Sequence, residues 1–134
     1  MVMLYFGVAH ADTLPSPEAV RKLTDDVMDK LASSSADRGF AMLKPYMPVS
    51  AAEFDSLAEK AKLQKPTIQQ RFGTIVGREF IEERRIGASL IRITQLEKFE
   101  RHAMLWTFIF YRGSEGWLLD TVNFNDNLQA LFGQ

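Results

Sequence analysis

The sequence predicts an α+β domain in which N-terminal helices pack on a curved antiparallel sheet of about four strands. Three observations carry that expectation. Apolar residues recur at helical spacing up to about residue 72, the period changes from 3.6 to 2 from Gly77 onward, and the links between the later runs are short enough to join antiparallel neighbours. Helices first and a meander afterwards segregates the helices to one face of the sheet. The 134 residues suit one domain, which we place at 12–134.

Each element has its own local signal. Ser16 offers an N-cap hydroxyl, and Pro17 sits at the first helical position, where its missing N–H costs nothing. Val20, Leu23, Val27 and Leu31 then form one apolar stripe, which "SSSAD" (33–37) ends. A shorter second helix carries Phe40 and Leu43 inward and stops before Pro45, whose ring disfavours helix at the preceding residue. Ser50-Ala51-Ala52-Glu53 reads as a capping box, with Val49 and Phe54 placed as a hydrophobic staple. Phe54, Leu57, Ala58 and Ala61 continue that helix; Pro66 is expected to restart or kink it and Gly73 to stop it.

Four strand-like runs follow at 77–86, 88–97, 101–112 and 116–123, punctuated by Gly87, "KFE" and the turn-rich "RGSEG". A last short helix is expected over 126–132, with Leu128, Leu131 and Phe132 turned inward.

Composition narrows the function classes. With 46% hydrophobic and 25% charged residues the chain has an ordinary globular make-up, and a net charge of -1 supplies no footprint for nucleic acid or an anionic membrane. The absence of cysteine excludes a disulfide framework, a thiolate nucleophile and cysteine-held metals. The two histidines lie too far apart in sequence for a metal-binding spacing, the glycines at 73, 77 and 87 punctuate strands rather than cradle phosphate, and Ser33, Ser35 and Ser50 cap helices. No metal or cofactor is expected. "REFIEERR" (78–85) alternates in sign and reads as a solvated strand face.

The opening "MVMLYFGVAHAD" raises the question of compartment. Val2 to Ala9 is apolar, and Ala9-His10-Ala11 has the small-x-small spacing that a signal peptidase reads, yet no Lys or Arg precedes the run and the first basic residue is Arg21. We read residues 1–11 as the remnant of an export signal, which implies a periplasmic or secreted protein. The alternative is an apolar arm packed on a cytoplasmic domain.

The tail "YRGSEGWLLDTVNFNDNLQALF" (111–132), with an aromatic-ended strand, a turn, Gly-Trp and an apolar strand ending in an Asn/Asp cluster, resembles the nuclear transport factor 2-like superfamily. The order of elements upstream fits the same resemblance. It implies a cone of helices and bent sheet around an apolar pocket, and an outer sheet face that often forms a dimer. Members include isomerases, dehydratases and polyketide cyclases as well as proteins with no known reaction, so the fold alone implies no activity.

Strand three is apolar on both faces: Met104, Trp106, Phe108 and Phe110 alternate with Ala103, Leu105, Thr107 and Ile109. Helices cover only one side, so a second copy of the chain is the simplest cover for Leu105, Thr107 and Ile109. If the hairpins are tight, the even positions of strands two and three share a face, which would bring Arg92 beside Trp106 and set Glu82 opposite Arg92. On that register Arg84, Arg92, His102, Trp106 and Phe108 are the pocket candidates, an aromatic wall with a cationic group for an anionic or amphipathic ligand. The plainer account is a cross-strand ion pair beside an aromatic core. His102 with Asp120 or another carboxylate is the only acid–base pair on offer, and a solvated or ion-paired histidine next to Glu100 and Arg101 is the plainer account.

Two functions follow from different classes. The first is a non-enzymatic exported domain that binds a small apolar or amphipathic ligand, or a protein partner, in the cone. The alternative is a small cofactor-free enzyme of the dehydratase, isomerase or cyclase type that uses His102 and a pocket carboxylate.

Overall fold

In the computed structural model, which describes residues 11–33 and 35–133, the Ser16 hydroxyl accepts a hydrogen bond from the Ala19 N–H and opens helix α1, Pro17–Ala32. Of the stretch 1–11 read as the remnant of an export signal, residues 1–10 lie outside the described residues. Helix α2 spans Ala36–Leu43 and buries Phe40 and Leu43, and a single 3-10 turn over Lys44–Tyr46 follows. Helix α3 spans Ala51–Phe72; its Ser50 cap accepts from the Glu53 N–H at 3.1 Å, and Val49 and Phe54 both reach the core as the staple requires. The helix runs continuously through Pro66. That residue removes one N–H from the helical ladder without ending it.

The strands are β1 Ile75–Ile86, β2 Leu90–Phe99, β3 Ala103–Arg112 and β4 Trp117–Asn125, joined in the order β1-β2-β3-β4 as one antiparallel, curved sheet that does not close into a barrel. The predicted α+β class is the observed one. Leu14 adds a one-residue bridge to the β4 edge, exchanging both backbone hydrogen bonds with Trp117 at 2.9 Å. Among the described residues no helix is long and apolar enough to cross a membrane.

The register corrects the expected faces. Ile91 lies opposite Phe110, Ile93 opposite Phe108, Gln95 opposite Trp106 and Glu97 opposite Met104, so odd positions of β2 share a face with even positions of β3. The change comes from the β2–β3 link, where Lys98 pairs with Ala103 and the register differs from the symmetric hairpin assumed from sequence by an odd number of residues, which exchanges the two faces of a strand. The three-residue turn Gly87-Ala88-Ser89 shifts Glu82 from Arg92 to Thr94, a step of two that keeps even positions opposite even ones. The helix-covered face therefore carries Ile91, Ile93, Gln95, Glu97 and Phe99 with Met104, Trp106, Phe108 and Phe110. Arg92 stands on the other face, beside Ile109.

The C-terminal helix is also corrected. One 3-10 turn forms over Leu128–Leu131, and Phe132 is 85% exposed rather than turned inward, with Leu131 at 36%. Asn127 provides no side-chain cap, and four residues are too few to stabilise a helix away from the core.

Helix α1 lies over β1 and β2, and a polar knot holds it there. Gln95 is fully buried; its amide nitrogen donates to Thr24 Oγ1 at 3.1 Å and Asp25 Oδ1 at 3.0 Å, and its oxygen accepts from Arg78 at 3.2 Å. Arg78 also donates to Asp29 at 2.8 Å and to Asp25, so it belongs to a half-buried network and not to a uniformly solvated strand face. Arg21 completes the cluster, bonded to Asp25 and lying 3.4 Å over the Phe80 ring. Replacing Gln95 with Leu would remove the three hydrogen bonds by which β2 holds α1 and β1, leaving Thr24 bonded to the Arg21 carbonyl and Arg78 to Asp25 and Asp29. The expected loss is about 1–3 kcal/mol in a urea titration, and a variant as stable as the wild type would show the knot to be dispensable.

Candidate functional site

Helix α3 touches the rest of the molecule mainly by its ends. At its start Phe54 meets Phe40 edge-on at 6.3 Å. At its end Phe72 meets Phe99 at 5.9 Å and the His102 ring at 4.5 Å. The exit is locked further, because Gly73 adopts φ 91, where a Cβ would lie 2.6 Å from the Glu100 carboxylate. That carboxylate accepts from the Thr74 N–H at 2.9 Å, a bond that holds its pKa below the ordinary value, while Arg101 donates to the last carbonyls of the helix. Between the two ends only part of each apolar side chain, Leu57, Ala58, Ala61 and Ile68, reaches the core.

Beneath this middle section lies a cavity of about 40 Å³, walled by Phe40, Ala61, Ile68, Phe99, Met104, Trp106 and Phe124. Its polar lining comes from Glu97, Lys65 and Gln69. Three of the wall residues, Ile68, Met104 and Phe124, also line an open groove of about 440 Å³ between α3 and the end of β4, with Leu63, Phe72, Arg71 and Asp126 along it. Cavity and groove thus share a boundary, and together they have the dimensions of a small-molecule site.

Glu97 is the chemical centre of the cavity. Trp106 Nε1 donates to its carboxylate at 2.9 Å, and Trp106 is itself stacked on Phe124 at 4.7 Å and on Phe108 at 6.3 Å. Burial in this aromatic surrounding pushes the Glu97 carboxyl above the ordinary 4.5, opposed by the indole hydrogen bond and by the charge of Lys65. No described residue makes a salt bridge with it.

The residues singled out from sequence are divided by the structure. Trp106 lines the cavity. Phe108 is fully buried behind it, in the core. His102 lies against Phe72 with Nε2 3.3 Å from the Asp126 carbonyl, outside both cavity and groove linings. Asp120 sits near the opposite end of the β3–β4 ladder, accepting from Thr121, so the two do not form an acid–base pair. Arg84 and Arg92 face each other across β1 and β2 on the outer surface. Glu82 is opposite Thr94, not Arg92, and reaches Arg92 diagonally at 3.3 Å; the Arg92 Nε is buried without a partner. Leu105, Thr107 and Ile109 stand on the same outer face. Among the described residues no cluster of three or more potential metal ligands forms.

Glu97, Lys65 and Ile68 were not singled out from sequence, although β2 itself held a signal for the first. Along Ile91, Ile93, Gln95, Glu97 and Phe99 two polar residues interrupt an apolar row, and a polar group on a buried row needs a partner or a task. Compared with protein-family models, curated proteins and solved structures, the chain matches none.

The sign of the Glu97 effect is testable. The folded protein holds this proton more tightly than the unfolded chain, so the group contributes stability that is fully present below about 4.5 and is lost as pH rises through the raised folded value. Glu97→Gln keeps an acceptor for the indole and carries no charge. Urea midpoints compared from about pH 4 to about pH 8 should show the wild type losing stability relative to this variant as pH rises, and parallel profiles would remove burial as the cause.

Proposed function

We propose that the chain is a non-enzymatic binding domain on the cone-shaped nuclear transport factor 2-like plan, taking a small amphipathic molecule between α3 and the sheet. The observation that carries this reading is the shared boundary of cavity and groove at Ile68, Met104 and Phe124. An apolar chain of a few carbons fits the groove, and a compact polar head fits the cavity, which at about 40 Å³ is little more than the roughly 30 Å³ that one water occupies in the liquid. The helices supporting the sheet from one side and its curvature are compatible with the cone. Export is part of the same proposal and rests on the Ala9-His10-Ala11 spacing.

The test is to fill the cavity. Ala61→Phe places a ring in the space beneath α3, at a position only partly buried. Wild-type protein titrated with 1-hexanol should show saturable shifts of the Trp106 indole resonance, and Ala61→Phe should reduce the affinity at least tenfold with the fold retained. Equal affinities would place the binding elsewhere.

A second observation supports self-association through the outer face. Rungs run across the strands there: Ile86, Leu90 and Tyr111 are exposed and in register, followed by Arg84 and Arg92 beside Ile109, then by Glu82 beside Thr94 and Thr107. A twofold axis on this face would set the basic rung of one copy against the acidic rung of the other and cover the apolar one. Sedimentation at micromolar concentration should give a dimer that Ile109→Lys dissociates; a wild-type monomer would dispose of this assembly.

A further inference from the structure

Resting on the ligand site proposed above, we infer that its occupant carries a positive charge, a primary or small alkylated ammonium group seated against the Glu97 carboxylate. The sequence pointed to the opposite polarity, since Arg84 and Arg92 were expected in the pocket. Both guanidinium groups stand on the far side of the sheet, and the polar wall of the cavity is built around a carboxylate.

Four features of the cavity converge on a cation. A carboxylate drawn out of water normally has a paired positive charge, because its desolvation is otherwise uncompensated. Here one oxygen is occupied by the Trp106 indole at 2.9 Å, and no described residue forms a salt bridge with the group. Phe40, Phe99, Trp106 and Phe124 surround the same space, and aromatic faces attract an ammonium through their ring quadrupoles and repel an anion, while the indole N–H of Trp106 is already taken by Glu97. The volume suits a head of roughly one to three heavy atoms. Finally, an anion entering the cavity would meet Glu97 with like charge.

The charged neighbours are few. Lys65 reaches the cavity from α3 and Arg78 lies opposite Glu97 on β1. Arg78 is committed to Asp25, Asp29 and Gln95. Among the described residues Lys65 is the one cation of the cavity lining; it favours the ionised carboxylate without pairing with it, and a ligand ammonium would compete with it for the same charge.

The experiment uses three probes with the same six-carbon chain: n-hexylammonium, 1-hexanol and hexanoate. Binding to the full chain is followed by the 15N-indole resonance of Trp106, assigned by its disappearance in Trp106→Phe. Hexylammonium is expected to bind at least tenfold more tightly than hexanol at neutral pH, with the ratio falling toward one as Glu97 is protonated at acid pH. Hexanoate should bind more weakly than either. Glu97→Gln should bring the ammonium-to-alcohol ratio to about one. Lys65→Met, at a half-buried position of α3, should raise the affinity for hexylammonium. Hexanol or hexanoate binding as tightly as hexylammonium, or an unchanged ratio in Glu97→Gln, would overturn the cationic ligand while leaving the cavity a ligand site. Failure of all three probes to move the indole resonance would overturn the ligand site as well.

Discussion

The hydrogen bonding of Gln95 is the constraint from which much of the rest follows. A primary amide at the centre of a sheet's covered face would be costly if its donors and acceptor were unpaired. Here both N–H groups are taken by Thr24 and Asp25 of α1 and the oxygen by Arg78 of β1. Three elements meet at one side chain. Sliding β2 by one residue would turn Gln95 to the outer face, break its bonds to Thr24, Asp25 and Arg78, and present Thr94 and Leu96 to the helices. Apolar packing tolerates such slips poorly, and a saturated polar network tolerates them less, because its geometry is directional.

With α1 fixed over β1 and β2, the remaining length of sheet must be covered by α2 and α3. Helix α2 packs on α1 and brings Phe40 to within 5.9 Å of the Trp106 ring. Helix α3 then has to span from Phe54, above Phe40, to Phe72, above Phe99. Its ends are set by aromatic contacts and by the Gly73–Glu100 joint, so its middle takes whatever height those ends dictate. Small residues at positions 58 and 61 do not fill the distance to Met104 and Trp106, and the cavity results. It is a consequence of pinning a 22-residue helix at two points over a curved surface.

This explains which parts were legible from sequence. Caps, breakers and periodicity are local: Ser16-Pro17, the Ser50 box, Gly73 and the change of period each act within a few residues, and the elements they announce are present. Strand pairing depends on turn length counted to a single residue, which "IGAS" and "KFERH" do not disclose. The side of the sheet on which Arg92 falls was therefore unreadable. Trp106 was recognisable as a wall because Met104, Trp106, Phe108 and Phe110 form the bulkier of the two rows of the third strand, the row that turns to the helices whichever way the strand pairs with β2. Glu97 was not, since its place depends on the β2–β3 pairing. The tail failed for a different reason: Leu128, Leu131 and Phe132 have the spacing of an apolar helical face, but Phe124 already closes the sheet end beneath α3, and no uncovered core is left for them.

The placement of charge separates the two faces of the sheet by chemistry. Guanidinium groups stand outside, where Arg84 directly opposes Arg92 and the repulsion is relieved only by the diagonal Glu82. On the inside the same two strands place Arg78 in a closed network and leave Glu97 in the cavity. A sheet of nearly neutral overall charge thus presents a basic rung to one side and a solitary carboxylate to the other. The outer face can satisfy its charges with a copy of itself, since acidic and basic rungs are adjacent and a twofold rotation exchanges them. The inner face has no such recourse: Glu97 is half-buried among aromatic rings, its proton affinity is raised by that burial, and Lys65 acts on it without pairing. Residues held in unfavourable electrostatic surroundings are kept there by the packing around them, and Trp106, stacked between Phe108 and Phe124, supplies that packing together with a hydrogen bond to the carboxylate.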